Sequence, residues 1–455
     1  MRRILGSLVM GIGLAAATAP ALRAETLADA LAFGYEHSGL LEQNRALLRA
    51  ADEDVAQALS ALRPVLNWSA DARATRGPDP AGGTATDTAA SASLTASLLL
   101  YDGGASRYAI DAQKALVLAT RESLRGIEQQ VLQRIVEAYL EIQRAIAFVD
   151  LRQNNLRLIT QELRAARDRF EVGEVTRTDV SLAEARLAAA RSQLAADEGA
   201  LTQARAEFRA AVGRAPGNLS PAPDARIPSS LAEAQNIARR THPALREAQQ
   251  RVTVAELNIA RAEAATRPEM TLSGGITVND DFDDNERIGI DVGAPIYAGG
   301  RIASQVRQAQ ARRDAARGDL LNTARTIERN VANAYSFLAV ARAGIEASGR
   351  EVTAAQLAFD GLREEAALGA RTTLDVLDAE QDLLDARTNL VSAQIDETLA
   401  TYSVLAATGQ LTAQQLGLAV QVYDPAAYYN LVRNAPAAKS EQGRALDRVL
   451  EAIGR

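Results

Sequence analysis

A mostly α-helical chain, organised as long coiled-coil rods and carrying four β-strands that cannot close on themselves, is the fold the sequence predicts. Three observations lead there. Long Pro-free runs carry apolar residues seven apart, short stretches between them switch to a period of two, and the whole pattern occurs twice in 455 residues.

Composition suits such rods. Aromatic residues make up 4% of the chain, and Ala, Leu, Arg, Gln and Glu dominate, as in closely packed helices rather than a thick globular core. There are no Cys and two His, His37 and His242, so no Cys/His metal site and no cofactor is expected. Both His lie in helical runs and read as surface or packing residues. No pairing of nucleophile and base is visible, so the chain is not expected to be an enzyme.

Residues 1–24 read as a secretory signal: Arg2 and Arg3, an apolar core from Ile4 to Ala17, then small residues ending near Ala24. That core is too short to span a bilayer. Its removal takes away Arg2, Arg3 and Arg23 and no acid, moving the formal charge from -7 to -10. An exported, acidic chain is a poor partner for nucleic acid. The absence of Cys also excludes a lipid anchor on an N-terminal Cys.

The first repeat is expected over 25–213. Residues 26–62 are a Pro-free helical run that Arg63-Pro64 ends. Then Leu66, Trp68, Ala70 and Ala72 alternate with polar neighbours, and Ala92, Leu94, Ala96 and Leu98 do the same after a Gly/Pro/Thr-rich loop. This is a hairpin with one apolar and one polar face. From 105 to 172 the residues Ile135, Ile142, Val149, Leu156, Leu163 and Phe170 fall seven apart, the mark of coiled-coil packing. Such a rod would be about 100 Å long. A return helix of half that length runs from Asp179 to Gly213.

Residues 214–229, with four Pro, connect this unit to a second one over 230–415. Its opening run closes at Arg267-Pro268, 204 positions after the first. Met270, Leu272, Ile276 and Val278, then Ile288, Ile290, Val292 and Ala294, mark its hairpin. From Tyr101 and Tyr297 to Gly213 and Gly409 the copies keep a constant offset of 196. Val331, Leu338, Ile345, Val352, Phe359 and Ala366 occupy the heptad places of the second rod. Residues 416–455 have no counterpart in the first copy and read as a tail packed outside the rods.

Strands of about 9–11 residues match a tilted bilayer crossing. With small polar side chains on one face and aliphatic ones on the other, and with the export signal, lipid outside and water inside is favoured over a soluble sandwich. Four strands cannot close a barrel, since the smallest membrane barrels use about eight. The chain must therefore oligomerise.

The two rod-to-return connections carry the candidate site: GEVTRTDVSLAE from Gly173 to Glu184, and GARTTLDVLDAE from Gly369 to Glu380. Gly173 and Gly369 suit the left-handed stop of the descending helix. Thr176 and Thr372 each precede an Asp, Asp179 and Asp375, by three positions, the spacing of a capping box. Asp378 is not required by the duplication, because its first-copy partner is Leu182. Three positions from Asp375, it puts a second carboxylate on the same helical face.

The signal segment, the doubled order of elements and the second-copy run GARTTLDVLDAEQDLLDARTNL together resemble the TolC family of outer-membrane channels. The resemblance implies a homotrimer with a twelve-stranded barrel in the cell outer membrane and an α-helical tunnel across the periplasm. It implies a duct for type I protein secretion or multidrug efflux, worked by a periplasmic adaptor protein and an inner-membrane ABC or RND transporter. It implies that Asp375 and Asp378 form an acidic ring at the periplasmic entrance, open to block by divalent cations, with no metal bound as a cofactor. It also implies that Asp179, Arg371 and Thr178 take part in links that hold the entrance shut. The family's tyrosine in those links aligns with Ala366 here, so one closing contact is missing. Two other readings are a periplasmic adaptor, which predicts one hairpin per chain, and a trimeric adhesin or structural coiled coil, which predicts strands as surface modules. The missing lipidation Cys and the tail lean toward protein secretion as the duct's task.

Overall fold

A computed structural model describes residues 24–78, 82–436 and 440–453. All of the expected signal segment except Ala24 lies outside these residues. Among the described residues ten helices and four strands follow one another in an order that occurs twice, with two short helices added at the end.

The opening run is two helices, α1 (Leu27–His37) and α2 (Gly39–Ser60). Ser38 breaks it with extended backbone, and its hydroxyl accepts from the Leu41 amide, so a helix N-cap interrupts a stretch whose periodicity looks continuous. The second repeat breaks at the equivalent place, between α5 (Leu231–Thr241) and α6 (Pro243–Ala264). There His242 is the cap, its Nδ1 accepting from the Ala244 amide, and Pro243 occupies the first turn. Burial alone pushes the His242 ring down to about 4, which keeps that acceptor nitrogen unprotonated. His37 stacks on Phe33, ring centroids 3.9 Å apart. Both imidazoles are structural.

Strands β1 (Val65–Pro78), β2 (Thr84–Tyr101), β3 (Glu269–Asn279) and β4 (Asp284–Gly293) form one antiparallel sheet in sequence order. The first two are longer than the alternation predicts, because pairing continues past Ala72 through Arg76↔Thr86 to Pro78↔Thr84, where both faces are polar. Register makes the apolar positions contiguous: Leu66, Ala96, Gly274 and Ile288 form one row across all four strands, and Leu98, Leu272 and Ile290 another. This face is bare, with Trp68 74% and Ile288 82% exposed. On the opposite face hydroxyls bond across strands, Ser93 to Thr277 at 3.1 Å and Ser273 to Asp291 at 2.9 Å. β1 and β4 are open edges. Among the described residues no helix is long and apolar enough to cross a membrane.

The rods are α3 (Ala105–Glu171) and α7 (Arg301–Ala367), 67 residues each; at 1.5 Å per residue each is about 100 Å long. Return helices α4 (Arg177–Val212) and α8 (Thr373–Ala407) cover their lower halves, and the short opening helices cover the upper halves. The heptad residues Ile135, Ile142, Val149 and Leu163 are buried; Phe170, at the end of the series and one residue before α3 stops, is 44% exposed. The largest core lies at mid-height, where Leu27, Ile135, Tyr139, Phe208 and Leu411 meet.

The Pro-rich connection is tied to the surrounding helices by phenols, two of them, Tyr139 and Tyr402, from that core. Tyr139 donates to the Ser220 carbonyl at 2.6 Å, Tyr335 to Pro228 at 2.7 Å and Tyr402 to Pro223 at 3.2 Å. Proline removes backbone donors but leaves carbonyls free, so this loop offers acceptors to the helices around it. In the tail, α9 (Ala427–Val432) packs on α2, with Tyr428 donating to Glu53 at 2.6 Å, and α10 (Glu441–Ile453) follows.

Candidate entrance at the helical tips

Each rod ends on a glycine in left-handed backbone, Gly173 at φ 79° and Gly369 at φ 75°. The chain closes the helix with a 6→1 bond, Glu174 N–H to the Arg169 carbonyl and Ala370 N–H to Glu365, both at 2.9 Å. A reciprocal cap then opens the return helix. The Asp179 carboxylate accepts from the Thr176 amide at 2.9 Å and hydroxyl at 2.8 Å, while the Asp179 amide donates back to that hydroxyl. Thr372 and Asp375 repeat this at 3.0 Å and 2.9 Å.

The amide and hydroxyl of Thr372 hold the Asp375 carboxyl below its usual range, and Arg371 adds to the effect. It is therefore charged at neutral pH. Asp378, one turn on, is exposed and ion-paired with Arg186 of α4. Arg371 donates to Glu365 on its own tip at 2.8 Å. Asp179 and Arg371 border one open cleft between the tips but are not bonded to each other, and Thr178 is exposed on the first turn of α4. Ala366 is buried against the cluster of Phe359, Val376, Ala379 and Leu383.

Two partners escaped the sequence reading. Arg186 was one. The signal was there, since its second-copy counterpart is Asp382 just as the first-copy counterpart of Asp378 is Leu182: the copies depart from each other at charge-complementary places. The other is Glu380 on α8, 5% exposed, whose Oε1 accepts from Asn155 Nδ2 of α3 at 2.7 Å. Leu377 of α8 inserts beside them among Ile159, Leu163, Ala183 and Leu187. The two hairpins are thus joined near the tips by one buried polar bond, the ion pairs Arg186–Asp378 and Arg363–Glu162, and an apolar cluster.

With this architecture in view, comparison with known proteins is decisive. The family model described as "Outer membrane efflux protein" matches residues 36–214 and 235–423. The chain belongs to the outer membrane efflux protein family. It is 37% identical over 425 residues to outer membrane efflux protein BepC of Brucella suis biovar 1, covering 92% of each. It is 26% identical over 412 residues to outer membrane protein TolC of Vibrio cholerae, covering 87% of this chain and 93% of that protein. The alkaline protease secretion protein AprF of Pseudomonas aeruginosa is 26% identical over 298 residues, 62% of each. The crystal structure of the Campylobacter jejuni CmeC outer membrane channel superposes with a TM-score of 0.76 at 16% identity, over 90% of each chain.

As an outer membrane efflux protein the chain is placed in the outer membrane, with its helical portion in the periplasm. Its relatives are channel proteins rather than enzymes. The adaptor and adhesin readings find no support: the chain carries two hairpins, and its strands form one sheet continuous with both rods.

Proposed function

We propose that three copies complete a twelve-stranded barrel and a hollow helical conduit, through which an ABC or RND transporter and its periplasmic adaptor expel cargo. The observation that carries this is the bare apolar face running unbroken across four strands, with an open edge on either side. Lipid covers that face, and the Ser- and Thr-rich face lines water. Efflux of small compounds is favoured by the likeness to BepC. Type I secretion stands second, favoured by the likeness to AprF.

Asp375 and Asp378 supply the acidic ring at the entrance. Six carboxylates around one axis repel unless cations or Arg neutralise them; Arg186 pairs with Asp378 in each chain, which leaves the Asp375 carboxylates as the main seat of divalent block. Asp179, Arg371 and Thr178 serve the closing links between neighbouring tips, the present side-chain bonds of Asp179 and Arg371 being to their own tips. Ala366 leaves one closing contact unmade, and the Arg186–Asp378 pair contributes in its place. The transporter and adaptor open the entrance by loosening the second-copy hairpin.

The test uses Asn rather than Ala at Asp375, since an Asn oxygen can still accept from Thr372. Asp375→Asn with Asp378→Asn should raise single-channel conductance in planar bilayers and abolish block by divalent cations. Unchanged conductance and block would refute the ring.

A further inference from the structure

We infer that β4 of one chain pairs with β1 of a second copy in a register set by the internal duplication, with Ile290 opposite the partner's Ala72 and Val292 opposite the partner's Ala70. The inference rests on the proposal that copies of this chain close a barrel together.

The duplication can be measured in the sheet. Paired residue numbers add to 162 between β1 and β2 and to 562 between β3 and β4. Their difference, 400, is the two repeat offsets taken together, 204 for the strand that opens each hairpin and 196 for the strand that closes it. The hairpins therefore correspond pair for pair, β1 with β3 and β2 with β4. Within the chain, β2 meets β3 with numbers adding to 370, from Ser91↔Asn279 to Leu99↔Thr271. That is the joint between a first repeat and a second. The next joint around the ring runs from a second repeat to the following first repeat, so β4 takes the place of β2 and the partner's β1 that of β3. Moving β2–β3 partners by 196 and 204 gives numbers that add to 362.

Two features not used in that derivation agree with it, and the antiparallel pairing it assumes is the one the sheet supplies. β4 begins at Asp284 and β1 ends at Pro78, and these numbers also add to 362, so the strands finish level at the hairpin end. Strand direction alternates through the sheet, which leaves β4 antiparallel to an incoming β1. Side-chain parity is kept: Ile288, Ile290 and Val292 meet Ala residues 74, 72 and 70 of the partner on the apolar face, while Glu286 meets the partner's Arg76 at the rim. On the polar face the partner's Arg73 stands opposite Gly289, where a side chain would meet nothing within 4 Å. Among the described residues Arg73 has no ion pair in the single chain. In the seam its guanidinium reaches Asp291 across the joint and lies beside Asp71 of its own strand, two carboxylates that otherwise face each other.

The chain has no Cys, so cysteine pairs can be read without background. Two pairs are needed because neighbouring cross-strand pairs alternate between close and wide: Ala72→Cys with Ile290→Cys, and Thr75→Cys with Arg287→Cys. The controls are slipped by two residues, Ala70→Cys or Ala74→Cys with Ile290→Cys. A slip of two moves the partners by about 7 Å, beyond disulfide reach. Oxidised membranes should give covalent dimers and trimers on non-reducing gels for at least one in-register pair, about tenfold above either control. Cross-linking through a control pair, or through no pair in protein that still migrates as a heat-sensitive trimer, would overturn the register and leave the channel reading standing. Absence of any trimer would overturn both.

Discussion

Glu380 is where one proton changes how tightly the two hairpins hold together. Burial is the largest influence on it and pushes its carboxyl up to about 7, against the bond from Asn155 and with Glu162 adding to the rise. Its Oε2 has no partner among the described residues. Nearby charges from the other packed elements are Arg363 of α7, 3.7 Å from Glu162, and the Arg186–Asp378 pair between α4 and α8. The folded value lies above the unfolded 4.5. The stabilisation is therefore present in full below pH 4.5 and is lost as pH rises through 7. Complete ionisation would cost about 3 kcal/mol per chain. Glu380→Gln keeps the shape without the charge. It should flatten the pH dependence of thermal dissociation between pH 5 and pH 8 and raise the midpoint at the alkaline end. Parallel curves for the two proteins would show that Glu380 does not control this contact. Asp52 is a second such group, buried with no partner for either oxygen among the described residues and pushed up to about 6 by burial, with Arg121 opposing the rise and Glu53 adding to it.

At the scale of elements, caps decide where helices begin. Thr176 with Asp179 and Thr372 with Asp375 close the same reciprocal box at both tips, so Asp375, proposed above for the entrance ring, also starts the helix that presents it. Thr372→Val keeps the volume and removes the hydroxyl. The loss should be about 1 kcal/mol, read as roughly fivefold faster amide exchange over residues 369–376 with the Thr176 tip unchanged. Equal exchange in both tips would mean the box contributes nothing. The breaks at Ser38 and His242 follow the same logic, and the sequence offered a clue in Ser38-Gly39 and His242-Pro243. The expectation of one helix over 26–62 failed because apolar spacing survives a single extended residue. Pro-free and periodic does not mean unbroken.

At the scale of the whole molecule, one chain leaves a broad apolar surface bare on its sheet and two unpaired strand edges. Such edges and patches call for lipid and further copies. Extraction from outer membranes should need detergent, and the extracted protein should run as an SDS-resistant trimer that heating converts to the single chain. A stable water-soluble monomer would contradict this.

Much of the fold was legible in residue order: the duplication, the apolar and polar faces of each strand, the rods and the capped tips. Each depends on periods and spacings within one stretch of chain, which backbone geometry imposes wherever that stretch lies. What only the tertiary structure decided is the set of meetings between hairpins, Arg186 with Asp378, Asn155 with Glu380, and Leu377 among the side chains of α3 and α4. Those depend on the rotation and stagger of helices more than 190 residues apart. Heptad spacing says which face of a helix is covered; it carries no information about which residue of a distant helix arrives there.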